Sequence, residues 1–148
     1  MKGKLKLKIL ENFDELIKVF IVRGIVFIEG QDVPYRIEKD RHELEAQHIL
    51  GEFDDEPIGA GRIRYLEDYA KLERIAVRKN YRGNGFGHRI VDFMIDEANE
   101  KGFYKYKMHA QAHLTDFYAY HDFEVQGDMF KEADIDHYLM VRDDKDNK

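Results

Sequence analysis

A chain of 148 residues with 43% hydrophobic and 13% aromatic residues can build one folded domain with a real core, which excludes a disordered segment. Its formal charge of −6 speaks against a general nucleic-acid binder, which needs a cationic surface, and allows a cationic or amine-bearing substrate. The absence of cysteine closes disulfides, thiolate metal sites and an acyl-cysteine intermediate.

In chain order, "KLKLKIL" alternates through Leu5, Leu7 and Ile9 and predicts a half-buried first strand. Asn12 or Asp14 can cap a helix whose apolar stripe includes Phe13, Leu16, Ile17, Phe20 and Phe27. "EGQDVP" breaks that pattern with Gly30 and Pro34. A second strand is expected from Ala46 to Phe53, a hairpin turn at Asp54 to Pro57, and a third strand over "IGAGRIRYL". "AKLERIAV" reads as the fourth strand, followed by an amphipathic helix from about Gly85 to Lys101 with Ile90, Val91, Met94, Ile95 and Ala98 inward. "YKYKMHA" is the fifth strand, Thr115 can cap a short helix through Tyr120, and two strands close the chain around Phe123 and "DHYLMV". A frayed tail is expected from about residue 142. No run approaches the ~20 apolar residues of a membrane span. "MKGKLKLKIL" is unlike a signal peptide, so a cytoplasmic protein without a membrane partner is expected. The order is that of a single α/β domain, residues 1–148, with one central crossover.

Gly83, Gly85 and Gly87 sit at that crossover behind Arg82. A strand ending in a glycine-rich turn that opens a helix presents unpaired N–H groups, reinforced by about half a positive charge from the helix dipole. Such a place suits a phosphate. An ordinary helix start with loop glycines is the plain alternative. A P-loop needs Gly-Lys-Ser/Thr, whereas this chain has Gly87, His88 and Arg89. A dinucleotide fingerprint needs G-x-G-x-x-G near the first strand, whereas here G-x-G-x-G follows four strands.

Arg82-x-x-Gly85-x-Gly87 after "LERIAV" resembles the pyrophosphate motif of the GNAT acetyltransferase superfamily, Gln/Arg-x-x-Gly-x-Gly/Ala. Downstream, Gln111, Leu114, Phe117, Tyr118, Asp122 and Phe123 stand where the family often carries Asn-x-x-Ala-x-x-Phe-Tyr-x-x-x-Gly-Phe. Leu114 and Asp122 depart from that pattern, and Asp122 fits only if its turn is left-handed. "RGIVFIEGQDVPYRIEKD" and the "DIDHYLM" ending are similar to the small prokaryotic ElaA-like and YjcF-like branch, so the resemblance runs from about Arg23 to Met140.

The resemblance implies the GNAT acyl-CoA N-acyltransferase fold, a mixed sheet of about six to seven strands flanked by helices, with acetyl-CoA as acetyl donor. The pantetheine arm would lie between the fourth and fifth strands like an added strand, on the backbone of Ile75, Ala76 and Val77. The amides of Arg82, Gly83, Asn84, Gly85, Phe86, Gly87 and His88 would hold the pyrophosphate. Tyr118 would contact the cofactor near the sulfur and protonate the departing thiolate. Glu73 is the first candidate for the base, with Glu38, His48 and His137 as others, and a water chain could serve instead. The acceptor would be an amine of a small molecule or peptide, attacked directly in a ternary complex. A silent CoA-binding sensor or interaction module is the alternative. "HAQAH" lacks the glutamate of a zinc helix, so no metal is expected. A homodimer is compatible with the sequence and not specified by it.

Overall fold

The lysine-leucine alternation becomes β1 (Leu5–Ile9), the edge of a seven-stranded sheet in the computed structural model, which describes residues 3–145. The other strands are β2 (Gln47–Phe53), β3 (Glu56–Tyr65), β4 (Ala70–Val77), β5 (Lys105–Gln111), β6 (Glu124–Glu132) and β7 (Ile135–Asp143). Their order is β1-β2-β3-β4-β5-β7-β6, and all neighbours are antiparallel except β4 and β5. Asp54 and Asp55 turn the β2–β3 hairpin with φ of 50° and 70°, the left-handed pair that a two-residue turn requires.

The parallel pair is incomplete. β4 and β5 are in register only at Ala70 with Tyr106 and Lys71 with Lys107, after which they part. Just beyond, β4 carries a bulge: Glu73 faces Arg62 and Ala76 faces Ala60, so Arg74 and Ile75 together oppose Gly61. Arg74 takes the extra residue at φ 53°. A bulge bends its strand and shifts the side-chain alternation. Accordingly Leu72 packs with Ile90 and Met94 on one face of the sheet, whereas Ala76 packs with Val19 and Val22 on the other.

Two helices cover those faces. α1 (Phe13–Arg23) begins at Asn12, whose side chain accepts from the Glu15 amide at 2.9 Å. It continues as a π-helical segment, Gly24–Glu29. Its buried line is Val19, Val22 and Val26, not the stripe expected from the sequence. Phe13 is 74% and Ile17 43% exposed, while Leu16, Phe20 and Phe27 are half-buried. The valines face Leu50, Ala60 and Ala76, a set of mostly small side chains that lets the helix lie close to the sheet. Hydrophobicity alone weights phenylalanine above valine, and here proximity selects the smaller residue.

α3 (Phe86–Glu100) buries the expected Ile90, Val91, Met94, Ile95 and Ala98 on the opposite face. α2 (Tyr35–Glu38) and α4 (Thr115–Ala119) are single turns beside the strand ends. Thr115 does not cap α4; Leu114 holds that place, and the Thr115 hydroxyl donates to the Ala112 carbonyl. β7 extends through Arg142 and Asp143, inside the stretch expected to fray, and residues 146–148 lie outside those described. No helix among the described residues is long and apolar enough to cross a membrane.

Val22→Ala should therefore cost about 2 kcal/mol of unfolding free energy, and Phe13→Ser should stay within about 0.5 kcal/mol of the parent. Urea denaturation of the two variants measures both.

Candidate active site

Where β4 and β5 separate, the sheet opens into a cavity of about 340 Å³. β4 lines it from Lys71 to Ile75, β5 with Met108, His109 and Gln111, and α4 with Tyr118. The β6–β7 hairpin contributes Glu132, Ala133, Ile135 and His137, and the segment around α2 contributes Ile37, Glu38, Asp40 and His42. The structure thus brings Glu73, Ile75 and Tyr118 together with two of the other base candidates, Glu38 and His137. His48 stays apart: its Nε2 donates to the Glu43 carbonyl at 2.7 Å, and its buried Nδ1 has no partner. Burial pushes the His48 imidazole toward its neutral form.

Tyr118 is 6% exposed, and desolvation raises its phenol above the usual tyrosine range. It is therefore a neutral O–H at working pH, a hydrogen-bond donor facing the cavity. Phe117 meets it edge to face with ring centroids 4.9 Å apart. Asp122, in place of the family glycine, adopts φ 66°, so the turn after α4 is left-handed as the substitution demands.

Glu73 is held differently. Arg62 Nη2 lies 2.9 Å, Arg64 Nε 2.7 Å and Lys71 Nζ 3.2 Å from its carboxylate. Burial works to raise its pKa, but the Arg64 hydrogen bond and the charges of Arg62 and Lys71 outweigh it and bring it down to about 2. A carboxylate so placed has little affinity for a proton from an ammonium near pKa ~10. The role of base that the sequence suggested for Glu73 is opposed by its surroundings.

Those cations belong to a larger network. Arg62 and Arg23 have no exposed side-chain surface. Arg62 grips Asp40 with both terminal nitrogens at 2.8 and 2.9 Å, and also bonds Glu43 and Glu73. Arg23 bonds Glu38 and Glu43, and Arg74 reaches Glu38 and Asp40. Burial works against ionisation of Glu43, yet Arg23 and Arg62 hold it at about 2. Asp40 lies below its usual range for the same reason, with Arg62 as the main partner. The network ties α1 and the loop after α2 to β3 and β4.

The glycine loop lies beyond the far end of β4. A 3₁₀ turn, Lys79–Tyr81, leads into it. Gly83 and Gly85 have φ of 82° and 79° with open space where a Cβ would stand, so they are needed for backbone conformation. Gly87 has another reason: a Cβ there would come within 3.1 Å of the Phe117 ring. Thus two of the three glycines shape the loop, and the third lets α4 approach α3. Side chains brace the loop from within. Arg82 Nε donates to the Val77 carbonyl at 2.8 Å, Asn84 donates to the Tyr81 and Arg82 carbonyls, and Phe86 is buried against Phe53. His88 stacks on Phe117 at 4.4 Å and bonds His121. Among the described residues, no chain acceptor takes the N–H groups of Gly83 through His88. What the loop offers is a row of backbone donors at a helix N-terminus.

Sequence reasoning missed Arg23, Arg62 and the bulge at Arg74, together with the pairing of His109 Nδ1 with Glu132 at 2.9 Å and the reciprocal amide bonds between Gln31 and Gln111. One signal was present: two arginines at alternate positions in the apolar strand "IGAGRIRYL".

A family model described as "Acetyltransferase (GNAT) domain" matches residues 26–143, and the chain belongs to this family. It is 36% identical over 140 residues to the uncharacterized N-acetyltransferase YjcF of Bacillus subtilis, covering 94% of this chain and all of that one. Among solved structures, Escherichia coli ElaA superposes with a TM-score of 0.86 at 24% identity over 95% of this chain and 100% of its own. The PaiA N-acetyltransferase of Thermoplasma acidophilum, in complex with coenzyme A, gives 0.72 at 11% identity over 95% and 99%. The family and the ElaA/YjcF-like branch are those the sequence motifs resembled.

The buried carboxylates give stability a defined pH dependence. Glu73 and Glu43 have folded pKa values depressed to about 2, so their contribution is complete above the unfolded value of ~4.3 and is lost as pH falls toward 2. Glu73→Gln should cost about 3 kcal/mol at pH 7 and most of that difference should vanish near pH 2. Urea midpoints of parent and variant between pH 2 and 7 measure it.

Proposed function

We propose that the protein transfers the acetyl group of acetyl-CoA to an amine of a small-molecule or peptide acceptor by direct attack in a ternary complex. The observation that carries this reading is a continuous path. Six successive free amides stand at the start of α3, the unpaired edge of β4 leads away from them, and the cavity holding Tyr118 lies farther along that strand. A diphosphate suits the first, an extended amide-bearing arm suits the second by strand addition, and a thioester suits the third.

Ile75, Ala76 and Val77 would meet the pantetheine through their backbone. The side chain of Ala76 is buried under α1, and the Val77 carbonyl already accepts one bond from Arg82. The coenzyme A held by the Thermoplasma relative supports the cofactor class. Tyr118 would hand its proton to the leaving thiolate. With no cysteine in the chain, the acetyl group has no thiol to visit on its way.

Calorimetric titration with acetyl-CoA tests the cradle. Binding should weaken at least about tenfold in Arg82→Ala and in Gly85→Val, whose β-branched side chain cannot hold φ 79° without strain. Tyr118→Phe should keep the wild-type Kd and lose about 100-fold in kcat, read as thiol release with primary amines. No binding to the wild type would sink the acetyltransferase reading. Binding without transfer to any amine would favour a silent CoA-binding module.

A further inference from the structure

Four carboxylates line the cavity: Glu38, Asp40, Glu73 and Glu132. Arginines or a lysine bind the first three. Among the described residues, Glu132, on β6 at the hairpin, is paired only with imidazoles: His109 Nδ1 at 2.9 Å and His137 Nε2 at 3.8 Å. Among the described residues it is the lining carboxylate with no guanidinium or ammonium bonded to it, and hence the one best placed to attract an incoming cation. The His109 hydrogen bond holds it ionised, below the usual carboxylate range.

His137 is fixed in one tautomer by its backbone. Its Nδ1 lies 2.7 Å from the Ile135 carbonyl, which can only accept, so the proton of the neutral ring is on Nδ1. Nε2 then carries a lone pair. Glu132 Oε2 lies 3.8 Å from it, too distant for a hydrogen bond and near enough to stabilise a proton that arrives. Phe130 stacks on the ring with centroids 5.9 Å apart, and the side chain is buried at the cavity wall that also carries Tyr118. The charged and titratable groups facing this corner are Glu132 from β6, His109 from β5, Lys71 from β4 and Tyr118 from α4.

We propose that His137 is the general base of the transfer, that Glu132 and His109 position and stabilise its charged form, and that the acceptor is a primary amine entering as its ammonium. This rests on the acetyltransferase reading. His137 Nε2 takes one proton from the ammonium, and the freed nitrogen lone pair forms the N–C bond to the thioester carbonyl. As the tetrahedral adduct collapses, the C–S bond breaks and the thiolate takes the Tyr118 proton. The N-protonated amide returns a proton to the tyrosinate, and the imidazolium loses its own to water. The sum is ammonium and acetyl-CoA giving amide, CoA and one proton.

Two experiments on the full chain decide it. Nitrogen-detected NMR of the imidazoles should find neutral His137 as the Nδ1–H form; the Nε2–H form would overturn the proposal. Acetylation of spermidine, tyramine and a peptide with a free N-terminus should then be followed from pH 5.5 to 9. Wild-type kcat/KM should fall on the acid side through one ionisation. His137→Gln should abolish that limb and lower kcat about 100-fold with an unchanged Kd for acetyl-CoA. Glu132→Gln should lower kcat with an unchanged Kd for acetyl-CoA, and Glu132→Asp should restore part of it, which a merely structural role would not do. Transfer with the limb intact in His137→Gln would overturn this inference alone. A wild type that does not bind acetyl-CoA, or binds it and acetylates none of the amines, would overturn the enzyme reading and this one with it.

Discussion

The guanidinium of Arg62 holds the working end of this molecule together. It has no exposed side-chain surface, and its donors are used on Asp40, Glu43 and Glu73 at 2.8 to 3.2 Å. A buried cation is tolerable only with such complete pairing, because desolvation of an ion costs several kcal/mol that partners must return. The pairing has a geometric result. Asp40 and Glu43 come from the loop after α2, Glu73 comes from β4, and Arg62 stands on β3 between them. One side chain therefore fixes the cavity wall formed by that loop to the strand whose other edge is open.

The open edge depends on the bulge next to Glu73. Arg74, the bulged residue, sends its own guanidinium back to Glu38 and Asp40, so the strand's departure from regular pairing is anchored in the same network. At the other end of the open edge, Gly87 admits Phe117 against the start of α3, and Phe117 in turn packs on Tyr118. The loop of free amides and the buried phenol are thus joined by two contacts. Electrostatics sets the wall of the cavity formed by the loop after α2, and close packing sets the end at α3 and α4.

Much of this was legible in the chain, and the failures have a common cause. β4 ran from Ala70 to Val77, the segment the sequence indicated, and α3 buried the five residues its period selected, because both depend on local pattern. Asp122 showed its left-handed turn through a single substitution in a motif. α1 misled because its period allows two faces, and the choice between Phe13 and Val22 belongs to the small residues of the sheet beneath. Arg62 and Arg64 alternate with Ile63 as solvent-facing residues would, yet the loop after α2 covers that face. Glu73 could be placed on β4 just before Ile75 from sequence, while the three cations that hold its pKa down depend on the register of β3 and β4 and on Lys71 two residues away. The glycines drew notice as a run, while their separate local reasons, positive φ at Gly83 and Gly85 and a ring thirty residues further on for Gly87, belong to the fold.

The central claim is that the start of α3 is a row of backbone donors waiting for a diphosphate. Amide hydrogen exchange, resolved residue by residue with and without CoA, addresses it directly. The account predicts slowed exchange at Gly83 through His88 and along the open edge of β4, with the Arg62 network unchanged. Exchange at those amides that ignores CoA, or protection confined to another surface, would contradict it.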